Sequence, residues 1–140
     1  MLKGLHPAIS PSLLAVLAEM GHGDELAIVD ANFPGAANAR RLVYAAGLAS
    51  PLVLEAILTL LPLDASVTSP AAIMTPREGR PPIAAEFQRL LDAAEGGAVA
   101  IEDVERFAFY ERTAAAFAVV ATGETRWWGN ILLRKGAIKP

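Results

Sequence analysis

From residue 17 to residue 34 the chain reads Leu-Ala-Glu-Met-Gly-His-Gly-Asp-Glu-Leu-Ala-Ile-Val-Asp-Ala-Asn-Phe-Pro, an order that leaves few folds open. Gly21 is a natural end for a helix. Leu26 to Val29 is too short for a buried helix and has the length of a buried strand. Asp30 follows it into a turn closed by Pro34. A helix that hands over through a tight turn to an apolar strand is the building unit of a sheet covered by helices. The same stretch brings a histidine and a carboxylate close together in the chain, His22 in the turn and Asp30 at the strand's end.

The remaining punctuation repeats that unit. Ser10-Pro11 starts the first helix, with serine as N-cap and proline in the first turn, and Leu13, Leu14, Leu17 and Met20 keep helical spacing. Ala31 to Asn38 reads as a loop and Leu42 to Ala45 as a second strand. Ser50-Pro51 repeats the start signal and opens a helix to about Leu61, before Pro62. Ala71 to Thr75 reads as a strand, Glu78 to Pro82 as a turn-rich loop, and Glu86 to Glu95 as an amphipathic helix stopped by Gly96-Gly97. Val99 to Val104 fits strand and helix equally. Phe107 to Ala116 suits a helix, Phe117 to Ala121 a strand, and Asn130 to Arg134 a last strand. The alternation predicts the α/β class, a single three-layer α/β/α domain over residues 1–140 with a largely parallel sheet.

Composition narrows the partners. An apolar share of 54% in 140 residues, with a mean hydropathy of +0.39, exceeds what one small body buries, so a homo-oligomer is expected. The net charge is −3 and no basic stripe runs along the chain, which argues against nucleic acid. There are no cysteines, hence no disulfides or thiolate metal sites, in keeping with a reducing cytoplasm. The first residues lack the long apolar core of a signal peptide. Leu42 to Leu63 carries one charge, Glu55, and is long enough for a bilayer, but Gly47, Ser50 and Pro51 break it, so no membrane span is expected. Dinucleotide, Walker, nucleophile-elbow and zinc-protease motifs are missing, and His6 beside Pro7 has no second ligand in pattern. No cofactor and no metal are therefore expected.

Three clusters remain for chemistry. In an open α/β sheet ligands gather beyond the carboxyl ends of strands, which is where Asp30 falls, and His22 is expected near that edge or at a subunit boundary. Histidine exchanges protons near neutral pH; alternatively, His22 caps the preceding helix, where an imidazolium meets the dipole. Arg106-Phe-Ala-Phe-Tyr-Glu-Arg112 reads as an amphipathic helix with Phe107 and Tyr110 in the core, or as an entrance where Arg106 meets a ligand beside an aromatic wall. Trp127-Trp128-Gly129-Asn130 places two indoles that strand alternation sends to opposite faces, one toward a core and the other toward a ligand or another subunit. Aromatic rings stack on sugar C–H faces, and asparagine offers both a donor and an acceptor.

Taken in order, Ile9-Ser-Pro-Ser-Leu-Leu14, Leu17 to Glu25, Asp30-Ala-Asn-Phe-Pro34, Arg106 to Arg112 and Gly129-Asn-Ile-Leu-Leu133 resemble the ribose pyranase and fucose mutarotase family, most closely its fucose branch. The strings span nearly the whole chain, and Gly35 to Ala100 matches more loosely. The resemblance implies a ribose pyranase-like fold and a cofactor-free isomerase that interconverts the α and β anomers of a monosaccharide. L-fucose is the expected sugar; ribose or another aldose, or sugar binding without catalysis, are the alternatives. It also implies ring-like homo-oligomers with sites at subunit contacts. His22 falls on the family's proton-transferring histidine, Asp30 and Arg106 on its substrate-binding residues, and Trp128, Gly129 and Asn130 on its aromatic-Gly-Asn motif. Two positions depart: Asn32 stands where the family has histidine, and Trp128 where it has tyrosine.

Overall fold

The computed structural model describes residues 1–140. Six strands form one sheet: β1 (Glu25–Val29), β2 (Leu42–Ala45), β3 (Ala71–Met74), β4 (Ile101–Val104), β5 (Ala118–Thr122) and β6 (Ile131–Arg134), in the order β2-β5-β1-β6-β3-β4. β1 pairs with β5, β5 with β2, and β3 with β4, all in parallel. β6 runs antiparallel to both neighbours, with Ile28 opposite Ile131 on one side and Ile73 opposite Ile131 on the other. The sheet is thus largely parallel, with one reversed strand at its centre.

Alternation along the strands divides the core into two layers. Leu26 and Ile28, Ile73, Val120, Ile131 and Leu133 face the larger cluster with helices α1 (Pro11–Glu19), α3 (Ser50–Leu58) and α4 (Ile83–Glu95). Ala27, Val29, Ala72, Met74, Val119 and Leu132 face the smaller one with Phe109 and Ala116 at α5 (Arg106–Ala115). A single helical turn, α2 (Gly35–Asn38), lies on the α5 side of the loop after β1. This is the expected three-layer α/β/α arrangement.

Several local readings shift, each for a physical reason. Ser10 does cap α1, its Oγ accepting the Leu13 N–H at 3.2 Å. Ser50 does not cap α3: Ala49 takes the cap position and the Ser50 hydroxyl turns inward to buried partners. α3 ends at Leu58 because the Thr59 hydroxyl donates to the Ala56 carbonyl and closes the last turn. α4 begins at Ile83, directly after Pro81-Pro82. Val99 to Val104 resolves as strand β4 because parallel pairing with β3 decides between two equal local readings. The segment read as a loop from Ala31 to Asn38 contains the α2 turn. No helix is long and apolar enough to cross a membrane, and the apolar stretch from Leu42 to Leu63 is β2 and α3 with their connections.

Phe87 on α4 is wholly buried in the larger cluster, far from any strand end. Phe87→Ala should lower the unfolding free energy by about 3–5 kcal/mol through lost transfer energy and a cavity. Urea unfolding at fixed protein concentration measures it.

Candidate active site

Five of the six strands point their carboxyl ends to one edge, and the reversed β6 brings its first residues there. Asp30 leaves β1 at this edge, Met74 ends β3, Arg106 opens α5 just after β4, and Asn130 leads into β6. With Asn32, Phe33, Tyr110, Trp127 and Trp128 they enclose a cleft of about 330 Å³.

The floor is a reciprocal pair. The Asp30 N–H donates to Asn130 Oδ1 at 2.8 Å, and Asn130 Nδ2 returns a bond to Asp30 Oδ2 at 3.1 Å. Asp30 Oδ2 also accepts the Gly129 N–H at 3.2 Å, while Oδ1 accepts the Asn32 N–H at 2.9 Å. A carboxylate has about four acceptor sites, so one on Oδ1 remains for a ligand. Burial, at 5% exposure, is the larger influence and pushes the Asp30 carboxyl above its ordinary 3.8; the bonds from Asn32, Asn130, Gly129 and Phe33 oppose it. Asn130 spends its amide on Asp30 and on the Met74 sulfur, so it acts by holding the carboxylate.

The loop that carries the tryptophans is built from behind. Glu124 is buried and grips Arg126 through Nε at 3.0 Å and Nη2 at 2.9 Å, and Arg126 reaches on to Glu86. Those bonds to Arg126 hold the Glu124 carboxyl below its usual range. The Ser50 hydroxyl donates to the Gly129 carbonyl at 2.9 Å, and Thr122 Oγ1 donates to the Val29 carbonyl at 2.8 Å. Gly129 must be glycine because a Cβ there would lie 2.8 Å from Glu124 Cγ. Residues 123–130 are turn and loop rather than strand, so the expected alternation of the indoles does not apply. Trp128 takes φ 66°, the one non-glycine residue with positive φ, and lines the cleft; Trp127 stands 77% exposed at the rim.

The opposite wall is aromatic. Phe33 meets Tyr110 edge-on at 5.1 Å and Phe109 at 6.1 Å. Arg106 donates from Nε to the Tyr110 hydroxyl at 3.0 Å, which sets the guanidinium at the cleft mouth. Phe107, expected in the core, is 65% exposed beside Arg106, and the buried residue is Phe109, a position the sequence reading passed over. The Glu105 carboxylate caps α5, accepting from the Phe107 and Ala108 N–H groups.

His22 is not at this edge. It precedes β1, and the five residues of that strand, about 16 Å, separate its turn from Asp30. Its ring is 54% exposed, with Nε2 3.1 Å from Asp64 Oδ1. The helix-capping alternative also fails, because Lys135 Nζ donates to the Leu17 and Met20 carbonyls that end α1. Asp64, buried among Ser66, Arg134 and His22, is a member of this second cluster that the sequence reading did not single out. The Asp-Ala-Ser run at 64–66, where Asp64 accepts the Ser66 N–H, is the local signal that marks it.

Fold and cleft together define the class: an α/β protein whose reversed central strand seats a carboxylate and an asparagine at the base of a monosaccharide-sized, aromatic-walled site. The chain belongs to the RbsD / FucU transport protein family, whose model matches residues 3–138. It is 47% identical to the fucose mutarotase of Homo sapiens over 146 residues, covering 98% of this chain and 94% of that protein. Its fold superposes on the Streptococcus pneumoniae fucose mutarotase solved in complex with L-fucose with a TM-score of 0.93, at 39% identity, covering 99% of this chain and 100% of that one. The Bacillus subtilis RbsD structure, complexed with D-ribose, shares the fold at a TM-score of 0.72 and 22% identity, covering 99% and 100%.

The raised Asp30 carboxyl has a defined sign. The folded chain holds that proton more tightly than the unfolded one, so its contribution to stability is present below 3.8 and lost as pH rises through the folded value. Carboxyl 13C NMR should place the Asp30 midpoint above 3.8. Asn130→Ala, which removes an opposing bond and leaves the Asp30 N–H without a partner, should move it higher and cost about 1–3 kcal/mol of stability.

Proposed function

We propose that this chain is an aldose mutarotase acting on L-fucose, interconverting its α and β anomers by opening and reclosing the pyranose ring. The observation that carries this reading is the likeness, over nearly the whole chain, to relatives named fucose mutarotase, one of them holding L-fucose. The cleft suits such a ligand. Asp30 Oδ1 keeps an acceptor for a hydroxyl, Arg106 offers donors at the mouth, and Trp128 and Phe33 present apolar faces to C–H groups and to the methyl of a 6-deoxy sugar. Asn130 and Gly129 hold Asp30 in place.

The chemistry asks for one well-placed acid. A proton given to the ring oxygen lets the C1–O5 bond break toward oxygen, while the anomeric hydroxyl yields its proton to water and becomes the aldehyde. Rotation about C1–C2 and the reverse transfers close the other anomer. Histidine suits the role near neutral pH, and the uncatalysed reaction already runs slowly, so positioning plus one acid suffices. His22 is the proton-transferring group, and it serves the cleft of a neighbouring copy, since its own lies across the sheet. The active form is then a ring-like homo-oligomer with composite sites, and the compartment that fits a chain without cysteine is the cytoplasm. Two surfaces support the pairing. Phe107, Trp127 and Tyr44 stand exposed, the first two beside the cleft and Tyr44 at the sheet edge nearby, and an apolar depression of Leu14, Leu17, Leu60, Leu61 and Ile138 lies beside His22.

Saturation-transfer proton NMR on the anomeric signals of L-fucose should show exchange with the protein. His22→Ala should abolish it, with circular dichroism and sedimentation unchanged. Co-refolding His22→Ala with Asp30→Ala should restore about a quarter of the rate by random assortment, since only mixed contacts combine both intact residues. No exchange with any aldose would sink the mutarotase reading. Mixed oligomers that stay inactive would sink the composite site.

A further inference from the structure

The turn that carries His22 is held more firmly than an exposed turn needs. The Gly21 N–H donates to Asp24 Oδ2 at 2.7 Å, the Gly23 N–H to the Lys135 carbonyl at 2.8 Å, and the Lys135 N–H to the Asp24 carbonyl at 2.9 Å. Gly23 adopts φ +89°, and a Cβ there would meet the Arg134 guanidinium at 3.3 Å, so the turn closes only around glycine. Backbone and ring are therefore tied to the end of β6 on one side and to Asp64 on the other.

Asp64 is itself over-determined. Its side chain is 2% exposed. Oδ1 accepts from the Ser66 hydroxyl at 2.6 Å and the Ser66 N–H at 3.0 Å, and Oδ2 accepts from Arg134 Nε at 3.0 Å. These bonds, those from Ser66 foremost, hold its carboxyl well below the usual carboxylate range. Near neutral pH an ionised carboxylate only accepts hydrogen bonds, so the ring nitrogen 3.1 Å from Oδ1 must be the one that carries hydrogen. That nitrogen is Nε2, and Nδ1 is the nitrogen left to other partners.

We propose that Asp64 is the positioning residue of His22: it binds Nε2–H, fixes the tautomer, and leaves Nδ1 as the atom that exchanges a proton with the sugar in the neighbouring copy's cleft. This inference rests on His22 being the proton-transferring group. In the ring-opening direction the imidazolium gives its Nδ1 proton to the ring oxygen as the C1–O5 electron pair moves onto that oxygen, and water takes the proton of the anomeric hydroxyl. The neutral ring left behind keeps its Nε2 proton on Asp64. Reclosure returns a proton to Nδ1. Asp64 never touches the sugar, and its carboxylate stays ionised throughout.

The chain has two histidines, so 15N,13C-histidine labelling with solid-state NMR reads each ring, and His22→Ala assigns the signals. The neutral His22 ring of the wild-type protein should carry its proton on Nε2. Asp64→Asn should lower the exchange rate at saturating L-fucose by at least about ten-fold. Its affinity for the sugar, followed by the fluorescence of Trp127 and Trp128, should stay within about two-fold, a split that a merely structural role would not produce. A wild-type ring protonated at Nδ1, or divided between tautomers, overturns the proposal without any variant. So does an Asp64→Asn protein with an unchanged rate. Exchange that persists in His22→Ala instead removes the premise that His22 transfers the proton, whatever the tautomer.

Discussion

The reversed pairing of β6 between β1 and β3 is the constraint on which the rest of this molecule depends. Without it the sheet is two ribbons, β2-β5-β1 and β3-β4, with no hydrogen bonds between them. Its three inner residues, Ile131, Leu132 and Leu133, are wholly buried and serve both core layers at once. Because it is antiparallel, its first residues reach the edge where the parallel strands end, and its last residues reach the edge where they begin. Asn130 therefore meets Asp30 at one end, while Arg134 and Lys135 meet Asp64 and the His22 turn at the other. One four-residue strand sets the geometry of both clusters.

Each cluster follows the same physical rule, that a buried carboxylate persists only when its acceptors are filled. Asp30 and Asp64 both sit almost out of solvent, yet they are driven in opposite directions. Around Asp30 the donors are a backbone amide on each oxygen and one neutral side chain, and burial outweighs them. Around Asp64 a guanidinium, a hydroxyl, an amide and an imidazole converge, and the bonds outweigh burial. The first carboxylate keeps an acceptor for a ligand. The second keeps none and serves to hold its neighbours.

Much of this was legible in the residues. The helix stop at Gly21, the apolar run to Val29 and the alternation that follows gave the strands nearly to the residue, because each was bounded by glycine, proline or a change of period. Asp30, Arg106, Trp128, Gly129 and Asn130 do come together in one cleft. Less legible was anything decided by pairing at long range. Strand β4 was ambiguous until β3 lay beside it, and Ser50 carried a capping signal that a buried bond to the Gly129 carbonyl overrode. Phe107 and Phe109 are indistinguishable by composition, and only the direction in which α5 docks separates the exposed ring from the buried one. The placement of His22 was the main error of proximity. Eight residues of chain separate it from Asp30, but a strand converts nearness in sequence into distance across a sheet.

The position of β6 at the end of the chain also orders how the protein is made. The last strand to leave the ribosome is the one that joins the two ribbons, so β1 and β3 wait with unpaired backbone edges until synthesis is nearly complete. A chain cut short before residue 131 keeps all five parallel strands and most of its apolar residues but has no seam between them. Such a fragment exposes two open strand edges to other chains, so loss of the last ten residues, 131–140, converts a folding problem into an aggregation problem.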